Sequence, residues 1–102
     1  MTIINTDEIK ARLDAGENLN LVDVREADER AEFNIGGTFL PLGNIQMMQI
    51  EDIEDWKDKE VICYCRSGNR SMQASLMLET FGFTNVKNLQ GGMNAWRDKF
   101  GG

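Results

Sequence analysis

Apolar positions along the 102-residue chain come in two spacings, runs that alternate or cluster as in strands and stripes that recur every three or four residues as in helices. Asn5-Thr6-Asp7-Glu8 has the form of a helix start, with Asn5 or Thr6 as N-cap and acids in the first turn. Ile9 and Leu13 lie one turn apart and Gly16 supplies a stop, so a helix is expected over residues 6–15. Leu19–Val24 reads as a short strand and Ala27–Phe33 as a short, heavily charged helix. Gly36-Gly37 breaks that helix, and Thr38–Leu42, which holds the single proline Pro41, reads as a brief strand. Ile45, Met48 and Ile53 mark one or two helical turns before a polar loop from Trp56 to Glu60. Val61–Cys65 is the clearest buried strand. From Ser71 to Phe81 the positions Ala74, Leu78 and Phe81, with Ser75 beside them, make a helical stripe that Gly82 ends. Asn85–Leu89 is a last strand, and Gly91-Gly92 leads into a helix over Met93–Phe100.

Strands alternating with helices predict βα units and a mostly parallel sheet covered on both faces. Ligands of such sheets bind beyond the carboxyl ends of the strands, where Cys65 stands. The length suits one domain with a single continuous core, spanning residues 1–102. No repeat or low-complexity stretch interrupts it.

Composition narrows the function classes. No apolar run is long enough to span a bilayer and the first fifteen residues lack a signal-type apolar segment, so a cytoplasmic, unanchored protein is expected. Two cysteines, Cys63 and Cys65, and no histidine make a disulfide framework or a zinc site a poor fit, and neither a metal nor a cofactor is expected. The net charge of −6 is unevenly placed: residues 1–60 carry −9 and residues 61–102 carry +3. That split argues against nucleic acid as partner and permits a local anion site in the second part.

The chemistry concentrates in Cys65-Arg66-Ser67-Gly68-Asn69-Arg70. A strand that runs through small residues into a helix aims successive backbone N–H groups inward, a nest on the positive end of the helix dipole. Gly68 and Asn69 are residue types that tolerate the left-handed conformations such a turn needs. A thiol at its mouth should have a depressed pKa. From about 8.5, a drop of two units would raise the thiolate fraction at pH 7 from ~3% to roughly three quarters. Lower basicity also lowers nucleophilicity, which leaves a gain of only about threefold, so the loop's larger task must be holding an anionic substrate against oriented donors. Cys63, two residues earlier on the same strand, reads as a core cysteine, and Met47, Met48, Met72, Met77 and Met93 read as gap fillers.

CRSGNRS, residues 65–71, strongly resembles the active-site loop of the rhodanese-domain sulfurtransferases. Leu21-Val22-Asp23-Val24-Arg25-Glu26 is similar to that family's DVRE segment. Asn34-Ile35-Gly36-Gly37 with Pro41-Leu42 resembles its GHIxGAxxIPL region, although Asn34 stands where the family usually has histidine. Leu89–Trp96 resembles its LxGGxxAW tail. The resemblance implies a three-layer α/β domain with a mostly parallel sheet of about five strands and helices on both faces. It implies that Cys65 attacks the outer sulfur of a small anionic donor such as thiosulfate, keeps it as a persulfide and passes it to cyanide, a thiol or a protein acceptor. Arg66 to Arg70 would cradle the anion, and Asp23 and Arg25 would support the loop from the neighbouring strand end or form a surface pair. Two other readings stay open: a relay module with little small-molecule turnover, and a cysteine phosphatase or arsenate reductase. The second is disfavoured because those families separate cysteine and arginine by five residues, whereas four lie between Cys65 and Arg70.

Overall fold

Five parallel strands, in the spatial order β1-β5-β4-β2-β3, form the central sheet of the protein, described by a computed structural model over residues 1–102. In chain order the elements are β1 (Thr2–Ile4), α1 (Thr6–Asp14), β2 (Leu21–Asp23), α2 (Ala27–Glu32), β3 (Thr38–Phe39) and α3 (Leu42–Gln46). A 3₁₀ turn (Glu51–Trp56), β4 (Glu60–Tyr64), α4 (Asn69–Thr80), β5 (Asn85–Leu89) and α5 (Gly92–Phe100) complete it. No helix is long and apolar enough to cross a membrane.

β4 is flanked by β2 and β5, and its residues show what a parallel sheet covered on both faces demands of a sequence. Val61, Cys63 and Cys65 point into one apolar cluster with Val22, Val24, Ile45, Ile53, Ala74, Leu78 and Val86. Ile62 and Tyr64 point into the other, with Ile4, Ile9, Leu89, Met93 and Trp96. All five residues from Val61 to Cys65 are at most 1% exposed, so neither face of the strand meets water. Register places Val22 and Asn88 on either side of Cys63.

Several expected elements shift. β1 carries too few residues to announce itself, yet it pairs with β5 along its whole length, Thr2 with Lys87 through Ile4 with Leu89. Leu42 begins α3 instead of ending a strand, because Pro41 at φ −54° and ψ 148° turns the chain into a helix start. Met48 sits in the left-handed region at φ 59° and is 63% exposed, while Ile50 takes the core position expected of it. Met47 and Met72 are exposed as well, so only Met77 and Met93 fill gaps. At the end of α4, Phe83 is buried and Phe81 only half-buried. α4 itself begins two residues early, at Asn69.

Two glycines with positive φ separate conformational strain from collision. Gly37 (φ +85°) lies against β2, and a Cβ there would stand 2.4 Å from the carbonyl oxygen of Leu21. Gly16 has the same φ with nothing within 4 Å. Gly16→Ala should therefore lower stability by about 1 to 2 kcal/mol from the backbone conformation alone. Gly37→Ala should cost about 3 kcal/mol or more, as strand and loop must separate. Urea denaturation of the two variants side by side checks the difference.

Candidate active site

β4 delivers Cys65 to the point where the sheet ends, and the next three residues reverse the chain into α4. Gly68 makes the reversal as the N-cap of α4, at φ 104°, a left-handed conformation suited to glycine. The loop is fastened from below by the start of α5: Met93 N–H donates to the Cys65 carbonyl and Asn94 N–H to the Arg66 carbonyl, both at 2.9 Å. Gly92 permits that approach, since a Cβ on it would lie 2.3 Å from the Cys65 carbonyl oxygen. The first two carbonyls of the loop are thus held from outside, facing α5.

The sulfur sits among those donors. Gly68 N–H donates to Cys65 Sγ at 3.1 Å, Ser71 N–H at 3.4 Å, and Ser71 Oγ lies 3.3 Å from Sγ. Burial pushes the Cys65 thiol up, but hydrogen bonds from the Ser71 hydroxyl and from the backbone of Ser71, Gly68 and Ser67 outweigh it and bring the pKa below the ordinary value. Cys63 has the same burial without the nest, and burial drives its thiol up to about 12 despite a hydrogen bond from Ser75. The two cysteines are thus chemically opposite, one prepared to ionise and one inert. Both are free.

The two arginines of the loop divide as well. Arg70 is clamped by Glu29 of α2 through two parallel bonds of 2.7 Å. That pair draws the Glu29 carboxyl down to about 2 and raises the Arg70 guanidinium. Arg66 is exposed and enters no salt bridge. With Arg25, Glu29, Asn94 and Arg97 it lines a recess of about 30 Å³ on one side of the loop. On the other side Ser67, Gly68 and Asn69 rim a shallower depression of about 180 Å³ with Ile3, Met72 and Asn88. Cys65 itself is only 1% exposed, beneath the loop.

Asp23 and Arg25 do not form a surface pair. Asp23 is fully buried and grips Arg25 through two bonds of 2.8 and 2.9 Å, while Arg30 reaches the same carboxylate at 3.2 Å. Their support goes first to residues 33–37: Arg25 donates to the Phe33 carbonyl, Arg30 to Gly37 and Tyr64 Oη to Gly36. The network makes no hydrogen bond to the Cys65–Arg70 loop, and its link to the site is positional, through α2 and Glu29. Asn34 serves the same turn locally, accepting from Gly36 N–H at 2.8 Å and donating to the Arg30 carbonyl at 3.1 Å.

Three residues of the site escaped the sequence reading as contributors. Ser71 was visible one turn into α4 on the Cys65 side. Glu29 looked like one more surface acid in a charged helix. Asn88 carried a usable signal, because a polar residue two places after Val86 on β5 stands on the apolar face of a buried strand.

A parallel α/β sheet that ends a buried strand on a cysteine, inside a ring of N–H donors at a helix start, is built to stabilise a thiolate. Comparison makes the class specific. Residues 5–99 match the family model described as "Rhodanese-like domain". The chain is 42% identical over 95 residues to "Putative sulfurtransferase YtwF" of Bacillus subtilis, covering 91% of this chain and 87% of that protein. It is 38% identical over 94 residues to a protein of Allochromatium vinosum named "Sulfurtransferase", covering 91% and 85%. The crystal structure of a rhodanese-like domain protein from Staphylococcus aureus matches with a TM-score of 0.78 at 30% identity, over 94% of this chain and 91% of that one. The chain belongs to the rhodanese-like family, among relatives named as sulfurtransferases.

The Glu29–Arg70 clamp should be visible in the acid limb of stability. Glu29 titrates at about 2 in the folded chain against an ordinary 4.5, so its contribution is complete above about pH 4.5 and is lost as the pH falls toward 2. Both partners keep some solvent contact, so Glu29→Gln should lower stability at neutral pH by only about 1 kcal/mol. The variant should also lose less than wild type across that acid window. A residual slope belongs to Glu60, which Arg12 and Lys87 hold down to about 2. Urea denaturation through the window measures both effects.

Proposed function

We propose that the protein moves sulfane sulfur from thiosulfate or a persulfide donor to a thiol, a protein thiol or cyanide, by way of a persulfide on Cys65. The observation that carries this reading is the sulfur held by Gly68 N–H, Ser71 N–H and the Ser71 hydroxyl. In the first half-reaction the Cys65 thiolate attacks the outer sulfur of the donor. A bond forms from Sγ to that sulfur, the donor's S–S bond breaks, and sulfite departs with the electron pair. The negative charge then rests on the outer sulfur, within the same field of N–H dipoles. In the second half-reaction the acceptor attacks the outer sulfur and Cys65 leaves as thiolate. This is thiol–disulfide exchange with a stable anion as leaving group. Two cysteines without a partner for a disulfide fit a reducing, cytoplasmic setting.

Arg66 is the side chain we assign to attracting the donor anion, because Arg70 is already matched by Glu29. Arg66→Ala should raise the donor KM several-fold, weaken the salt dependence of the rate and leave stability unchanged, as read by steady-state kinetics at two ionic strengths. An unchanged KM would mean that the backbone donors suffice.

Intact-mass analysis tests the reaction itself. Incubation with thiosulfate should add the mass of one sulfur atom to wild type and to Cys63→Ser, not to Cys65→Ser, and cyanide or a thiol should remove it. Loading without turnover by small acceptors would make the domain a sulfur relay. Sulfur found on Cys63 would overturn the assignment.

A further inference from the structure

Ser71 has one hydroxyl proton and three neighbours that compete for it. Its Oγ lies 3.3 Å from Cys65 Sγ, 3.2 Å from the Gly68 carbonyl, and in a short contact with Asn88 Oδ1. The orientation of the Asn88 amide is fixed by the contacts around it. Its Nδ2 faces the Gly68 carbonyl at 3.1 Å, which can only accept, so Oδ1 must be the atom that faces Ser71. An amide oxygen has no proton to give, and Ser71 must donate. Asn88 is 2% exposed and Ser71 fully buried, so the amide oxygen relies on that hydroxyl for its hydrogen bond within the protein.

We propose that Asn88 is a positioning residue that holds the Ser71 proton away from the Cys65 sulfur in the thiol and persulfide states and yields it only to the bare thiolate. In the thiol state Cys65 S–H donates to Ser71 Oγ, and Ser71 donates to Asn88. When the thiol proton leaves to solvent, the Ser71 hydroxyl rotates and donates to Sγ, which strips Asn88 Oδ1 of its donor. Once a donor's sulfur is bonded to Sγ, the charge moves to the outer sulfur and the hydroxyl returns to Asn88. Asn88 thus disfavours the one state in which Sγ carries the charge, and Ser71 favours it. The inference deepens the sulfur-transfer reading and rests on it for the persulfide state, while the thiol and thiolate states can be measured without any sulfur donor.

Other groups around the sulfur stay constant in such a comparison. They are Cys63 on β4, Arg70 on α4 with Glu29 of α2 and its N-cap Glu26 beyond it, and Arg66, Arg25 and Arg97 at the recess. Lys87 on β5 is engaged by Glu60. None of these side chains is hydrogen-bonded to the side chain of Ser71 or Asn88.

The experiment is the pH dependence of Cys65 alkylation by iodoacetamide, resolved to the site by fragment mass. Asn88→Ala should lower the midpoint by about one unit and speed alkylation well below it by about threefold, after allowing for the lower nucleophilicity of a less basic thiolate. Ser71→Ala should raise the midpoint by a similar amount. The double variant should titrate close to Ser71→Ala, because Asn88 Oδ1 acts on the sulfur through that hydroxyl. A midpoint that rises or stays put in folded Asn88→Ala, or an Asn88 effect that survives the loss of Ser71, overturns the proposal. If circular dichroism shows Asn88→Ala unfolded, Asn88→Ser, too short to reach both Ser71 and Gly68, takes its place with the same expected sign. Opposite shifts in a protein that neither thiosulfate nor a persulfide donor loads would leave the thiol and thiolate part of this inference standing and defeat the sulfur-transfer reading.

Discussion

Two backbone hydrogen bonds, from Met93 and Asn94 of α5 to the carbonyls of Cys65 and Arg66, hold the first two peptide groups of the loop on which the site is built. A peptide whose carbonyl is drawn toward α5 points its N–H the other way, and the second of these peptides carries the Ser67 N–H, one of the donors that bring the Cys65 pKa down. Gly92 is the residue that permits the approach, with its φ of 54° and no Cβ to strike the Cys65 carbonyl. The tail of the sequence is therefore as much a part of the site as the CRSGNR segment. Burial opposes ionisation of the thiol, and only a ring of several donors reverses the sign.

The same logic explains why two arginines so close in sequence differ in role. Arg70, on the first turn of α4, meets the carboxylate of Glu29 in a fork geometry, which fastens α2 to the helix that carries the nest. Its charge remains near the sulfur, yet two of its donors are engaged by Glu29. Arg66 projects from the outer side of the loop, beside Arg97 and above the buried Arg25, into a recess too small for more than the tip of a ligand. Attraction and architecture are thus assigned to different side chains, and the buried Asp23–Arg25 pair stiffens the segment from which Glu29 reaches across.

Much of the architecture was legible because parallel strands buried on both faces write long apolar runs, as in Val61–Cys65, and because glycines mark the helix ends. The loop was legible for a different reason: a thiol followed by small and basic residues at a strand–helix junction has few structural uses. What stayed hidden depends on distant partners. Three residues of β1 have no periodicity to read, and only pairing with β5 makes them a strand. Met48 looked apolar enough for the core, but the left-handed backbone at that position turns it outward and Ile50 fills the space. Asp23 and Arg25 lie two apart on what looked like a solvated strand end, and nothing local reveals that Arg30 and the Phe33 carbonyl close over them.

The pairing of β1 with β5 also bears on how the molecule is assembled. Thr2 can find Lys87 and Ile4 can find Leu89 only after the intervening chain has been made. Closing a loop of that length costs about 4 kcal/mol of chain entropy, a cost met before the contacts that offset it exist. Parallel sheets with such remote pairings fold slowly for this reason. During synthesis the nest around Cys65 must wait for β5 and α5, its floor and its fastening, so the thiol gains its full set of neighbours only once those two elements are in place.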